Sequence, residues 1–98
     1  MPESRLSSAD LDPRRRRALM RAWRRGMREM DFLMGGFADA RLPGLSETDL
    51  DDFEALLELQ DRDVLSWLTG EVALPAEHAT QVFAALKAFH THLKPINV

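Results

Sequence analysis

Residues 25–37 run Arg25-Gly26-Met27-Arg28-Glu29-Met30-Asp31-Phe32-Leu33-Met34-Gly35-Gly36-Phe37, and their pattern decides the fold. Met30, Leu33, Met34 and Phe37 recur at i, i+3, i+4 and i+7, the spacing of one buried helix face. Glu29 and Asp31 fall in the first turn of that helix, where the positive end of the dipole favours carboxylates. Gly26 stands just ahead of it and accepts a positive φ at low cost, so a preceding helix is expected to end there with Gly26 at C′. The stretch is a helix–helix junction holding a glycine, two cations and a carboxylate. A core does not need such a cluster; a docking surface can use one. Gly35 and Gly36 each weaken the second helix by about 1 kcal/mol relative to alanine, and close approach of another helix would account for them.

Outward from the junction the chain stays helical. Asp12-Pro13 pairs an N-cap acceptor with proline at N1, so the first helix is expected from Pro13 to about Arg25. Leu19, Met20 and Trp23 form its apolar face with Ala18 and Ala22 beside them. Arg14, Arg17, Arg21, Arg24, Arg25 and Arg28 lie on or near the opposite side. Downstream, Pro43-Gly44 marks a turn. Ser46 caps a third helix, with Asp49 at the capping-box position. Leu50, Phe53, Leu56 and Leu57 form its inner face, and Asp49, Asp51, Asp52, Glu54 and Glu58 a charged outer one. Asp61 is expected to cap a short fourth helix with Val64, Leu65, Trp67 and Leu68 inward and Gly70 at its end. Pro75 opens the last element, whose stripe is Ala79, Val82, Phe83, Leu86, Phe89, His90 and Leu93; Pro95 stops it. No segment alternates β-branched residues. The expectation is an all-α fold, a compact bundle of about five short helices, with residues 1–12 a flexible tail and 13–95 one domain.

Composition narrows the function. The chain has 98 residues, 45% of them hydrophobic, enough for one modest core. Without cysteine it has no disulfide, thiolate metal site or cysteine nucleophile, as suits a reducing compartment. No apolar run approaches the ~20 residues of a membrane span. The first residues lack the apolar segment of a signal peptide and carry Glu3, Asp10 and Asp12, which a mitochondrial presequence avoids. A cytoplasmic bacterial protein is expected. Charge is polarised: residues 1–28 hold nine arginines against three carboxylates (+6), whereas residues 29–98 hold four cations against thirteen (−9). A basic edge of this kind suits an acidic partner.

Two blocks of this sequence resemble a known family. Arg24-Arg25-Gly26-Met27-Arg28-Glu29-Met30-Asp31 is similar to the RGxxE signature of the succinate dehydrogenase flavinylation factors, also called FAD assembly factors. Phe53-Glu54-Ala55-Leu56-Leu57 followed by Asp61-Arg62-Asp63-Val64-Leu65-Ser66-Trp67-Leu68 resembles the family's second block, with Val64 in place of the usual leucine. The resemblance covers roughly residues 14–93. It implies a chaperone that binds the flavoprotein subunit of succinate dehydrogenase, in some bacteria that of fumarate reductase, and promotes covalent attachment of FAD to a histidine of that subunit. The factor itself then holds no cofactor stably, and none of its three histidines carries flavin. The implied partner-binding residues are Arg25, Gly26, Met27, Arg28, Glu29 and Asp31, with Asp61, Asp63 and Trp67 as a second set, structural or interfacial. Arg25 offers a fork suited to a partner carboxylate, Gly26 lets a partner backbone come close, and Glu29 stays ionised to orient the acceptor histidine or a nearby cation.

Plainer readings stand beside these. Glu29 also serves as a dipole partner, Asp61 and Asp63 as helix-capping residues, and Trp23 and Trp67 as core. Met20, Met30 and Met34 are gap-fillers, with Met27 the exception inside the motif. Arg14 to Arg17 are either a solvated face or a steering patch. His90 and His92 are two apart and point to different helix faces, so no metal site is expected. Nucleic-acid binding through the arginine-rich first helix is opposed by the net acidity and by the lack of a helix-turn-helix or zinc pattern. No Ser-His-Asp arrangement or phosphate loop suggests an enzyme, and five short helices leave little room for a deep pocket. A generic helical adaptor remains as the alternative. A monomer is expected, because nearly all large apolar residues find a core face.

Overall fold

In the computed structural model, which describes residues 11–93 and the side chains of residues 11–90, five α-helices follow one another. They are α1 (Pro13–Trp23), α2 (Arg28–Arg41), α3 (Glu47–Leu57), α4 (Asp61–Thr69) and α5 (Gln81–Leu93), with 3₁₀ turns at Leu42–Gly44 and Ala76–His78. No strand occurs among the described residues. The expected tail as far as Asp10, the side chains of His92 and Leu93, and the stop at Pro95 lie outside what is described.

Helix α1 starts as its sequence dictates. The Asp12 carboxylate accepts from the Arg15 N–H at 3.1 Å, and Pro13 occupies the first turn, where its missing N–H costs nothing. Leu11, counted with the tail on sequence grounds, is 6% exposed and belongs to the core, so packing begins before the cap. The helix ends at Trp23, two residues earlier than its pattern suggested, because Arg24 leaves helical geometry at φ −127° and ψ 50°. Met20 does not join the core, at 46% exposure; Ala18, Leu19 and Ala22 form the buried stripe instead. A stripe of two alanines lets α2 lie close, and α1 with α2 is the most extensive helix pair.

The other helices carry the core. Met30, Met34 and Phe37 of α2, Leu50, Phe53, Leu56 and Leu57 of α3, and Val82, Phe83 and Leu86 of α5 are buried. Phe37 sits at the centre, its ring 5.8 Å from both Phe53 and Phe89. The glycine pair in α2 splits in its roles. A Cβ on Gly35 would collide with the Trp23 ring, whereas one on Gly36 would meet nothing within 4 Å. Close approach of α1 therefore explains the first glycine and leaves the second without a structural reason.

Ser46 caps α3 by accepting from the Asp49 N–H at 3.1 Å. Gly70 ends α4 in the left-handed region at φ 84°, where a Cβ is costly. Two boundaries differ from expectation. Gln60, not Asp61, is the N-cap residue of α4, and Asp61 stands at N1 with its carboxylate turned to another task. Pro75 opens only a 3₁₀ turn, and α5 begins at Gln81 because Thr80 Oγ1 accepts from the Phe83 N–H at 3.1 Å. Ala79 consequently falls off the buried stripe and is exposed.

Candidate functional site

The junction between α1 and α2 is a closed turn held by one carboxylate. Asp31 Oδ1 accepts from the backbone N–H groups of Arg25 at 2.6 Å and Gly26 at 3.2 Å. Those donors would otherwise continue the α1 ladder, which is why the helix stops short. Gly26 takes φ 105°, a conformation that L side chains rarely adopt. The glycine sits one position beyond C′, since Arg24 is the C-cap residue. A Cβ there would meet nothing within 4 Å. Conformation, and not crowding within this chain, therefore requires glycine.

Arg25 turns away from solvent. Its side chain is 8% exposed, and Nε donates to Asp61 Oδ1 at 2.6 Å, with Asp61 itself 14% exposed. The two terminal nitrogens donate to the carbonyl oxygens of Leu57 and Leu59. Leu57 is the last residue of α3, where carbonyls have no partner within the helix and the dipole is negative. One planar cation thus closes the C-terminal end of α3, engages the first residue of α4 and anchors the α1–α2 turn. Arg21 adds to the same corner, donating to Glu58 Oε2 at 2.8 Å and to the Leu57 carbonyl at 3.4 Å. A guanidinium suits the place because its donors diverge within a plane, which an ammonium cannot match. Each nitrogen of the fork expected to meet a partner carboxylate donates inside the molecule instead.

The candidate residues therefore divide into a scaffold and a presented set. Arg25, Asp31 and Asp61 hold the turn. Gly26, Arg28 and Glu29 lie exposed on it, with Arg24 beside them. Glu29 has no hydrogen-bond or ion-pair partner among the described residues. Met27 is half-buried and packs against the core. Asp63 is exposed in the first turn of α4, where its backbone carbonyl accepts from Ser66 Oγ at 2.7 Å. Trp67 is half-buried on the far side of α4, stacked on His78 at 5.1 Å, and lines an open cleft of about 380 Å³ with Leu74 and Phe83. Asp61 is thus joined directly to the junction, whereas Trp67 belongs to a different corner.

Two features escaped the sequence pattern. Met20 and Phe32 are exposed at 46% and 49% on α1 and α2. Phe32 carried a readable signal, since it falls off the Met30–Leu33–Met34–Phe37 stripe. The second feature joins two charged faces whose pairing no sequence pattern indicated. Arg14 on α1 reaches across to α3, meeting Glu47 and Glu54 at 2.9 Å and also Asp51. The Arg14 guanidinium holds the Glu54 carboxyl below its ordinary range, partly opposed by burial. On α5, burial pushes the His90 imidazole below its ordinary value, while its Nε2 contact with the Leu33 carbonyl at 2.6 Å acts in the other direction.

A family model described as flavinator of succinate dehydrogenase matches residues 16–90. The chain is 40% identical over 77 residues to the FAD assembly factor SdhE of Acetobacter pasteurianus, covering 79% of this chain and 71% of that protein. It is 33% identical over 86 residues to the mitochondrial succinate dehydrogenase assembly factor 2 of Dictyostelium discoideum, covering 88% of this chain and 59% of that one. The corresponding Saccharomyces cerevisiae protein is 36% identical over 59 residues, 60% of this chain and 36% of the yeast protein. The chain thus spans less than two thirds of these mitochondrial relatives. No solved structure matches it.

Proposed function

This chain belongs to the flavinator of succinate dehydrogenase family, and from that membership we propose that it is an assembly factor and not an enzyme, one that binds the flavoprotein subunit of succinate dehydrogenase and promotes covalent attachment of FAD. The observation that carries the reading to particular residues is the division at the α1–α2 junction. Arg25, Asp31 and Asp61 fix a turn on whose outside Gly26, Arg28 and Glu29 stand exposed. A rigid turn with an unpartnered carboxylate loses little conformational freedom when a partner closes over it.

On this reading Glu29 meets a cation or the acceptor histidine of the flavoprotein, Arg28 pairs with a carboxylate there, and the bare Gly26 lets the partner backbone approach. The bond-forming atoms belong to the flavin and its host subunit. The factor holds no FAD stably of its own. It acts as a monomer in the cytoplasm, and a fumarate reductase flavoprotein of like construction is a second client. Among the described residues no helix is long and apolar enough to cross a membrane.

The test is to produce the flavoprotein subunit with and without this chain, denature it, and read in-gel flavin fluorescence. Covalent flavin is expected to rise with the intact chain and to drop for Glu29→Ala, while the stability of that variant stays within the range of an ordinary surface substitution, about ±0.5 kcal/mol. Equal fluorescence with and without the chain rejects the function for that client.

A further inference from the structure

Beside the junction, the α1–α2 surface carries apolar area that nothing among the described residues covers. Three large hydrophobic side chains are exposed there and elsewhere in the described chain: Met20 at 46%, Phe32 at 49% and Val72 at 50%. Two of the three cluster about Trp23. Met20 lies one helical turn before it on α1, and the Phe32 ring meets the indole edge-on at 6.2 Å. Trp23 is itself fixed. Its ring covers Gly35, where no Cβ intervenes, and Nε1 donates to Asp39 at 3.1 Å. Single exposed apolar residues need no explanation. A pair flanking a pinned indole, one of them in ring contact with it, differs, because a pre-formed aromatic surface is cheap in entropy to engage.

The same face has polar edges. Arg24 is four residues after Met20 on the α1 side, and Arg28 and Glu29 stand four and three residues before Phe32 on α2, the offsets that bring helix side chains together. All three are exposed. Gly36, four residues after Phe32, leaves open space where a Cβ would stand. The apolar patch is thus continuous with the Gly26–Glu29 turn and is bordered by two cations and one carboxylate.

We infer that Met20 and Phe32, flanking Trp23, are the apolar anchors of the docking surface, and that Arg24 and Arg28 pair at its edge with carboxylates of the flavoprotein subunit. This rests on the function proposed above and extends its site from the turn onto both helix faces. The partner surface that fits is a shallow apolar socket with acidic borders. A second copy of this chain fits less well, because its own patch border offers a single carboxylate, Glu29, to the two cations Arg24 and Arg28.

The test measures binding of the purified flavoprotein subunit to the full chain and to three variants: Met20→Ser/Phe32→Ser, Arg24→Glu/Arg28→Glu, and Val72→Ser as the control apolar site. Circular dichroism and the thermal midpoint monitor folding, and in-gel flavin fluorescence is read in parallel. The double serine variant is expected to bind roughly 10–100-fold more weakly, the scale of losing central anchors. The charge-reversal variant is expected to lose binding at low salt, chiefly through slower association, and Val72→Ser to bind like the unsubstituted chain. If the unsubstituted chain neither binds nor raises covalent flavin, the proposed function fails and this inference with it. Should the unsubstituted chain bind while the double serine variant binds within about twofold of it, the function stands and the anchors are rejected, since central anchors cost more than that. Where serine lowers helicity, charge reversal decides: retained binding rejects the surface, and lost binding in a folded protein supports it. Light scattering of the chain alone that shows a dimer broken by Phe32→Ser assigns the patch to self-association and overturns the proposal.

Discussion

Among the arginines that fasten α1 to the rest of the molecule, Arg14 and Arg25 stand near opposite ends and act under opposite conditions. Arg25 just beyond the C-terminal end is 8% exposed, with Asp61 at 14% and two backbone carbonyls as its partners. Arg14 in the first turn is 31% exposed and meets three carboxylates of α3 whose exposure runs from 33% to 77%. By number of charged partners the Arg14 cluster is the larger. Water competes for its groups and salt screens them, so such pairs add little. At Arg25 water is largely excluded, and removing one member strands the others in a poor solvent. Burial of the pair, more than its charge count, decides how much the fold depends on it. The buried clamp is also the one that holds the candidate docking turn.

The sharpest way to break this comparison is Arg25→Ala. The substitution leaves the Asp61 carboxylate and the carbonyls of Leu57 and Leu59 without their Arg25 donors. A stranded buried partner costs about 3–5 kcal/mol, and the residual exposure of Asp61 favours the lower end. For a domain of this size about 3 kcal/mol lowers the thermal midpoint by roughly 12–24 °C. Denaturant unfolding of Arg25→Ala and Arg14→Ala side by side decides the matter: equal losses would remove the distinction between the clusters. Because Arg25 anchors the turn, its loss is also expected to lower flavinylation, so a functional defect there does not by itself place Arg25 at an interface.

A smaller effect comes from the two glycines of α2, which should respond with opposite signs. Gly35→Ala drives a Cβ into the Trp23 ring. Displacing a packed indole is expected to cost about 1–3 kcal/mol, as overpacking does, against about 1 kcal/mol gained in helix propensity. Gly36→Ala meets nothing within 4 Å and is expected to stabilise by about 0.5–1 kcal/mol. Urea midpoints of the two variants measure both. If Gly36→Ala stabilises the fold yet weakens flavoprotein binding, the open spot beside Phe32 is needed by the partner.

Much of this architecture was legible in the sequence. The stripe Leu50–Phe53–Leu56–Leu57, the Ser46 cap, the Gly70 stop and the Met30–Phe37 face are local patterns, and local patterns survive folding unchanged. Met20 was misplaced because hydrophobicity ranked it above Ala18 and Ala22, whereas close helix packing selects small residues. The site was half legible. The position of the turn and of Glu29 in the first turn of α2 follow from Gly26 and the dipole rule. The inward turn of Arg25 does not, since its partners lie 32 to 36 residues away and two of them are backbone carbonyls with no sequence signature. For the same reason Asp61 looked like a cap when it is the counter-ion of Arg25.

Acid sharpens the comparison further, because the Arg14 cluster and the α5 core titrate in different windows. Burial holds His90 below its ordinary 6.5, so the unfolded chain binds a proton there more readily than the folded one. Stability is therefore expected to fall as pH drops below about 6.5. His90→Gln keeps a donor for the Leu33 carbonyl and should flatten that part of the profile. Glu54 has its folded pKa lowered by Arg14, so its contribution is present above about 4.5, the ordinary value, and is lost as pH falls through the lower folded value. Arg14→Ala should therefore lower stability by a constant offset above about 4.5 and lose that deficit in acid, so that the slope of the profile changes only in its more acidic limb. Thermal midpoints between about pH 7 and 3, the range that spans both windows, separate the two variants; a change in the slope of the near-neutral limb for Arg14→Ala would contradict this assignment.

The smallest effect is expected from Arg14→Ala near neutral pH, and its dependence on salt is more informative than its size. Arg14 and its carboxylates are open to water, so ions in solution screen the cluster at the few-ångström Debye length of molar salt. The difference in midpoint between the unsubstituted chain and Arg14→Ala should therefore shrink as sodium chloride is raised from about 0.05 to 1 M. The deficit of Arg25→Ala should persist under the same titration, because its partners lie where ions do not reach. If both deficits shrink together, the Arg25 corner is wetter than its 8% exposure implies. The docking turn would then rest on Asp31 and the Gly26 backbone alone.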